Sequence, residues 1–138
     1  MTIAALDYGK RRIGLAIGSV AGLATYHLAT LERRSLAHDL EVLRARFVEY
    51  EVTRVVVGLP LNMDGSAGPQ ARAAETFAAK LRAATGLAVE LYDERLSSFE
   101  AEERLKTMPM KRVNRKRMVD AVAAAVILEG WLQSELLG

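Results

Sequence analysis

The sequence predicts an α/β architecture: a mixed five-stranded sheet with helices on both faces. Three observations carry this expectation. Two short apolar runs open the chain, separated by the turn-forming residues Asp7, Tyr8, Gly9 and Lys10. In the second half, strand-like runs alternate with helical stripes, which implies right-handed crossovers and parallel pairing. The chain has 138 residues, the size of one compact domain with one core.

Residues 3–6 read as a short buried strand that stops at the turn, and residues 13–17 as its hairpin partner. The glycines at 18 and 22 interrupt the chain, and a third strand is expected around residues 23–30. Leu36, Leu40, Leu43 and Phe47 then recur at helical spacing, with Ser35 placed as the N-cap. Residues 54–58 form a continuous apolar run, expected of a central strand buried on both faces. A loop over 59–68 follows, and Pro69 occupies the first position of the next helix. Ala71, Ala74, Phe77, Ala78 and Leu81 mark the buried stripe of that helix, and Gly86 ends it. Residues 87–92 read as the last strand. Ser97 and Glu100 match a capping box for a helix reaching about Thr107. Pro109 interrupts, and a last helix is expected over roughly 117–136.

Composition narrows the function classes. Apolar residues make up 51% and charged residues 26% of the chain, enough apolar side chains for a packed core. Without cysteine, thiolate metal sites, iron–sulfur clusters, disulfides and cysteine nucleophiles are excluded. The two histidines, His27 and His38, are too few for a histidine-rich zinc site and read as surface or packing residues. Trp131 and Phe99 read as core or interface. The longest apolar run, residues 121–128, is far short of the roughly 20 residues that span a bilayer. The N-terminus has no basic start followed by an apolar stretch. A cytoplasmic enzyme or binding module without membrane association is the expectation.

The charge is local. The chain carries 19 basic and 17 acidic residues, a net charge of +2. Five of the basic residues are Lys111, Arg112, Arg115, Lys116 and Arg117. Without them, 14 basic face 17 acidic residues and the net charge is −3. A basic patch on an otherwise acidic chain fits a phosphate-facing surface, though a solvated helix start would have the same composition.

Several acids stand where a charge is costly. Asp7 ends the first apolar strand, Asp93 and Glu94 end the last, and Asp120 opens the apolar stretch of the final helix. In sheets with parallel crossovers, sites form beyond the strand ends. The last helix can cover that edge and bring Asp120 to Asp7 and Glu94. Three converging carboxylates suit hard oxygen-seeking cations, Mg²⁺ or Mn²⁺. Two such ions about 4 Å apart can activate a water and stabilise the leaving oxygen of a phosphodiester. Asp7 would then bridge both ions. Each acid also has a plainer reading: a turn starter at Asp7, a strand-end partner for Arg95 at Asp93 or Glu94, and a helix-dipole acid at Asp120. Lys10, Arg11 and Arg95 are weaker candidates for contacting nucleic acid beside the basic segment. Asn62, Asp64 and Ser66 would position substrate, or else satisfy their own turn. The glycines at 58, 65 and 68 do not make a phosphate-binding P-loop, since no Gly-Lys-Ser/Thr follows.

Four segments together resemble one family. Ala5-Leu-Asp-Tyr-Gly-Lys-Arg-Arg-Ile-Gly-Leu-Ala16 resembles the opening motif of the YqgF family, also called RuvX. Val56-Val-Gly-Leu-Pro-Leu-Asn-Met-Asp-Gly-Ser66 is similar to its second motif. Tyr92-Asp-Glu-Arg-Leu-Ser-Ser98 and Val119-Asp-Ala-Val-Ala-Ala-Ala-Val-Ile-Leu128 are similar to its third and fourth. An Asp-x-Gly hairpin alone is widespread; four motifs in order, over about residues 2–136, are specific. The resemblance implies an RNase H-like fold and a metal-dependent nuclease that matures the 5′ end of pre-16S ribosomal RNA. It also implies kinship with the RuvC resolvases of branched DNA. It assigns the catalytic and metal-binding acids to Asp7, Glu94 and Asp120, favouring Glu94 over Asp93. Its partners would be nucleic acid and ribosomal precursor particles, with the protein a monomer or homodimer. Two departures are visible: Ser97 replaces the more usual threonine, and Thr107-Met-Pro-Met110 is more apolar than the usual loop. Outside this class stand a nucleotide phosphohydrolase of the actin-like type, which needs two domains, and a nucleic-acid-binding module without turnover.

Overall fold

The computed structural model describes residues 2–19, 24–93 and 112–137, with the backbone alone for 24–27, 112–119 and 136–137. Strands β1 (Thr2–Tyr8) and β2 (Arg12–Ser19) form the expected antiparallel hairpin, with Asp7 opposite Gly14. Its turn is tight: the Gly9 N–H donates to the Arg12 carbonyl at 2.9 Å. A Cβ on residue 9 would stand 2.8 Å from that same oxygen, which accounts for the glycine. Strand β3 (Ala24–Glu32) lines the other side of β2 and runs two residues beyond its expected end.

Helix α1 (Leu36–Glu49) starts where Ser35 Oγ accepts the His38 N–H at 3.1 Å, as its N-cap position requires. Strand β4 (Val52–Leu59) then pairs parallel with β1. Helix α2 (Pro69–Thr85) begins on proline and is closed by Gly86 at a φ of 72°, a left-handed cap that glycine adopts without strain. Strand β5 (Ala88–Asp93) pairs parallel with β4 and completes the order β3-β2-β1-β4-β5.

Alternation divides the strand residues between two layers. Ala4, Leu6, Ile13, Leu15, Val55 and Val57 pack with Leu43 and Phe47 of α1 and Phe77 and Leu81 of α2. Ile3, Ala5, Ala16 and Val56 pack on the opposite face against helix α3 (Arg112–Leu137), meeting its Ala124, Ile127, Leu128 and Trp131. Helices therefore cover both faces, and β1 and β4 are central. The two faces differ in the size of their residues. Toward α3 the sheet presents Ala5, Gly14 and Ala16, and the helix answers with a run of alanines. Small residues on both sides allow the backbones to approach closely.

One boundary differs from expectation. Helix α3 begins at residue 112, five residues earlier than the sequence reading placed it. Arginine and lysine are good helix formers, and no breaker follows Pro109. Arg112, Arg115, Lys116 and Arg117 are therefore part of the helix rather than a segment ahead of it. Ser97, Phe99, Glu100, Thr107 and Pro109 lie outside the described residues. Among the described residues, no helix is long and apolar enough to cross a membrane.

Candidate active site

Asp7 lies next to the end of β1, in register with Ile3 and Ala5 and so on the α3 face. Its cross-strand partner is Gly14. At Gly14 the sheet and α3 touch backbone to backbone: a Cβ there would stand 1.9 Å from the Asp120 carbonyl oxygen and 2.9 Å from the Ala121 nitrogen. Only glycine leaves room for the helix at this height. The crossing sets Asp120 beside Asp7, although 113 residues separate them in sequence.

The two carboxylates feel each other. Burial, and then the charge of Asp120, pushes the Asp7 carboxyl up from an ordinary 3.8 to about 7. Asp120 is also raised, chiefly by burial; Arg12 opposes this and Glu32 adds to it. Arg12 in turn pairs with Glu32 across β2 and β3, Nε to Oε1 at 3.3 Å. Among the described residues, neither aspartate receives a hydrogen bond. Two hard oxygen donors that repel each other and lack a donor fit a divalent cation, which would relieve the repulsion. Mg²⁺ and Mn²⁺ have the matching chemistry. Among the described residues, no group of three acids or histidines gathers around one point. Glu94, Arg95 and Lys111 lie outside the described residues.

The other expected residues fall around the same edge. The C-terminal ends of the parallel strands β1, β4 and β5 share it, and Asp93 closes β5 there. Lys10 and Arg11 are exposed on the β1–β2 turn. Asn62, Asp64 and Ser66 occupy the loop after β4, all exposed, and bond to one another. Asn62 Nδ2 donates to Ser66 Oγ at 2.9 Å. The Ser66 amide and hydroxyl donate to Asp64 Oδ1 at 2.9 and 2.6 Å, holding that carboxyl below its usual range. Arg112, Arg115, Lys116 and Arg117 belong to the first turns of α3, and their side chains are outside the described set.

Four residues that shape the site escaped the sequence reading. Gly14 and Arg12 had a signal, since period-two alternation puts both on the Asp7 face and a glycine inside a strand marks a close approach. Arg33 and Gln70 had none. Arg33 Nη1 donates to the Gly9 and Lys10 carbonyls at 2.8 and 3.1 Å and so braces the turn after Asp7. Gln70 Nε2 donates to the Tyr8 carbonyl at 3.2 Å and ties the start of α2 to the end of β1.

Known proteins are similar to this chain in sequence and in fold. The chain matches the family described as "RuvX: Holliday junction resolvase" over residues 1–134. It is 52% identical over 127 residues to a protein of Anaeromyxobacter sp. (strain K) named "Putative pre-16S rRNA nuclease", covering 92% of this chain and 93% of that one. Among solved structures it resembles Thermus thermophilus RuvC in complex with a Holliday junction substrate, at a TM-score of 0.65 and 13% identity over 99% of this chain and 96% of RuvC. The Fowlpox virus resolvase in complex with Holliday junction DNA gives the same TM-score at 10% identity, covering 99% of both chains. At such identities the likeness concerns the fold, which is the RNase H-like fold of these resolvases. The family match over nearly the whole length, together with half-identical relatives, shows that the chain belongs to the RuvX family.

Proposed function

We propose that this protein is a metal-dependent nuclease that hydrolyses phosphodiester bonds of RNA, in the maturation of the 5′ end of pre-16S ribosomal RNA. The observation that carries the reading is the meeting of Asp7 and Asp120 where α3 crosses Gly14. The name of the Anaeromyxobacter relative supports RNA as the substrate. Asp7, Glu94 and Asp120 are the residues that would hold Mg²⁺ or Mn²⁺, whose chemistry here is to activate a water and stabilise the leaving oxygen.

The chain's own residues supply rigidity, charge and a proton balance. Asp7 sits on a central strand, and Arg33 grips the turn that follows it. Its carboxylate is thereby fixed before substrate arrives, as catalysis by positioning demands. Burial and the charge of Asp120 favour the protonated Asp7 carboxyl near neutral pH, and a cation held there would displace that proton to solvent. The Asp120 carboxyl is also raised by burial, and the Arg12 guanidinium opposes that rise. Lys111, Arg112, Arg115, Lys116 and Arg117 would hold the nucleic-acid backbone, aided by Lys10, Arg11 and Arg95. Asn62, Asp64 and Ser66 border the substrate path as a loop braced by its own hydrogen bonds.

A second reading, a resolvase of branched DNA, is favoured by the description of the family. Symmetric paired cuts would require a dimer with two sites. Cleavage of a labelled precursor RNA beside a synthetic four-way junction, with Mn²⁺ or Mg²⁺, separates the two. RNA cutting with an intact junction supports the proposal. Paired junction cuts with intact RNA replace it, and binding without cutting of either leaves a non-catalytic module.

The basic helix start has its own test. Neutralising Lys111, Arg112, Arg115, Lys116 and Arg117 together should flatten the salt dependence of RNA binding. Each lost phosphate contact lowers the log–log slope by about 0.7 on a single strand. An unchanged slope would assign the patch another role.

A further inference from the structure

Across the sheet from Asp7, a cleft of about 440 Å³ is lined by Tyr8, Arg33, Arg72, Thr76, Phe77 and Lys80, among others. Alternation explains its position. Tyr8 follows Asp7 in β1, so its ring turns to the face covered by α1 and α2. There it stacks on Phe77, with ring centroids 4.1 Å apart and planes 15° from parallel. The Arg33 guanidinium lies 4.3 Å from the same centroid. Two groups this close to one centroid cannot share a face of the ring, so Tyr8 has no face left for a nucleobase.

What the cleft offers is charge. Arg33, Arg72 and Lys80 contribute three cations, and among the described residues no acid lines the cleft. None of the three has an ion-pair partner among the described residues. Arg33 and Arg72 are oriented by backbone carbonyls, Arg72 Nη1 donating to Ala67 at 3.0 Å, and both keep further N–H groups. Asp39, the acid whose charge reaches Tyr8, is buried and its carboxylate is engaged by the Arg34 amide at 3.1 Å. Three unneutralised cations in a concavity attract an anion, and arginine suits phosphate best.

We infer that this cleft binds a backbone phosphate of the same single strand whose scissile phosphodiester lies at Asp7 and Asp120. The inference rests on the nuclease reading and deepens it by tracing the strand over the edge of the sheet. One residue step in β1 separates the two sites, and their side chains lie on opposite faces. A strand must bend sharply to touch both. Duplex DNA, with a persistence length of about 150 base pairs, resists such a bend, whereas a single strand accepts it.

The test is binding of a short labelled single-stranded RNA, and of DNA of the same sequence, by fluorescence anisotropy in EDTA across a salt series. Arg72 and Lys80 are exposed on α2, so Arg72→Gln/Lys80→Gln should fold, as its Tm will report. Its slope should fall by about 0.7 for both strands, a loss of roughly 5-fold in affinity at 0.1 M salt. Arg44→Gln/Arg46→Gln on α1 removes the same charge away from the cleft and should leave the slope near the parent's. An unchanged slope in the cleft variant, an equal fall in the α1 variant, or a fall confined to one type of strand would overturn the inference. Failure of the parent protein to bind either strand would overturn the nuclease reading as well.

Discussion

Asp7→Asn is expected to abolish cleavage while leaving RNA binding nearly intact, and to make the cation-free protein more stable at neutral pH. The first effect follows from position. Asp7 stands on a central strand, and residues that merely orient a metal ligand are worth about 10–100-fold. Losing the ligand proposed here should cost at least about 100-fold in turnover. The second effect follows from the raised carboxyl. Asp7 titrates near 7 in the folded chain and near 3.8 when unfolded, so the folded state binds more protons between those values. Stability is therefore full below pH 4 and is lost as pH rises through 7. One pKa unit is about 1.36 kcal/mol, which makes the loss on the order of 4 kcal/mol. Asparagine carries no charge to bury and should remove this pH dependence. Urea unfolding of both proteins in EDTA, at pH 5 and pH 8, measures it. Parallel stability profiles for the two proteins would show that Asp7 is not the buried charge described, and undiminished turnover would remove it from the reaction.

Gly14→Ala should do almost as much damage with one methyl group. The new Cβ would sit 1.9 Å from the Asp120 carbonyl oxygen and 2.3 Å from its carbon. These are backbone atoms of a long packed helix, so no side chain can swing away. Normal contact lies near 3.5 Å, and α3 would have to withdraw by more than about 1 Å. Overpacking of this kind costs about 1–3 kcal/mol. The withdrawal carries Asp120 away from Asp7, and a 1 Å misplacement can cost about 100-fold in rate. Gly130→Ala is the comparison. Its Cβ would meet the Tyr92 hydroxyl at 2.6 Å, the tip of a side chain. The site is ten residues further along α3, about 15 Å from Asp120. That variant should keep its turnover within a few-fold. Equal activity in the two variants would mean that the crossing at Gly14 does not set the geometry of the acids.

Ser35, Pro69 and Gly86 announced the ends of α1 and α2 because capping is local chemistry, decided within a few residues. The buried run at residues 54–58 announced a central strand because both of its faces had to be covered. The start of α3 was misplaced because a cluster of like charges reads as solvated chain, while arginine and lysine also extend a helix well. Asp7 and Asp120 were legible as misplaced charges that the last helix could bring together, but the contact that seats them was not. It depends on Gly14, a residue whose role is to be absent, opposite a helix more than a hundred residues downstream.

The amino-acid sequence by itself determined the elements, the mixed sheet, the family and which aspartates are out of place, since each of these rests on local pattern or on motif order. Only the tertiary structure decided what those aspartates do to each other. The α3 crossing at Gly14 brings the charge of Asp120 to Asp7 and, with burial, lifts its carboxyl to about 7. The same holds for Arg33, Arg72 and Lys80, scattered along the chain and unremarkable in it. They form a charged cleft because β1 turns Tyr8 away from Asp7 and α2 packs Phe77 against it. Electrostatics and packing act through space, and the chain order carries that distance only once the sheet has formed.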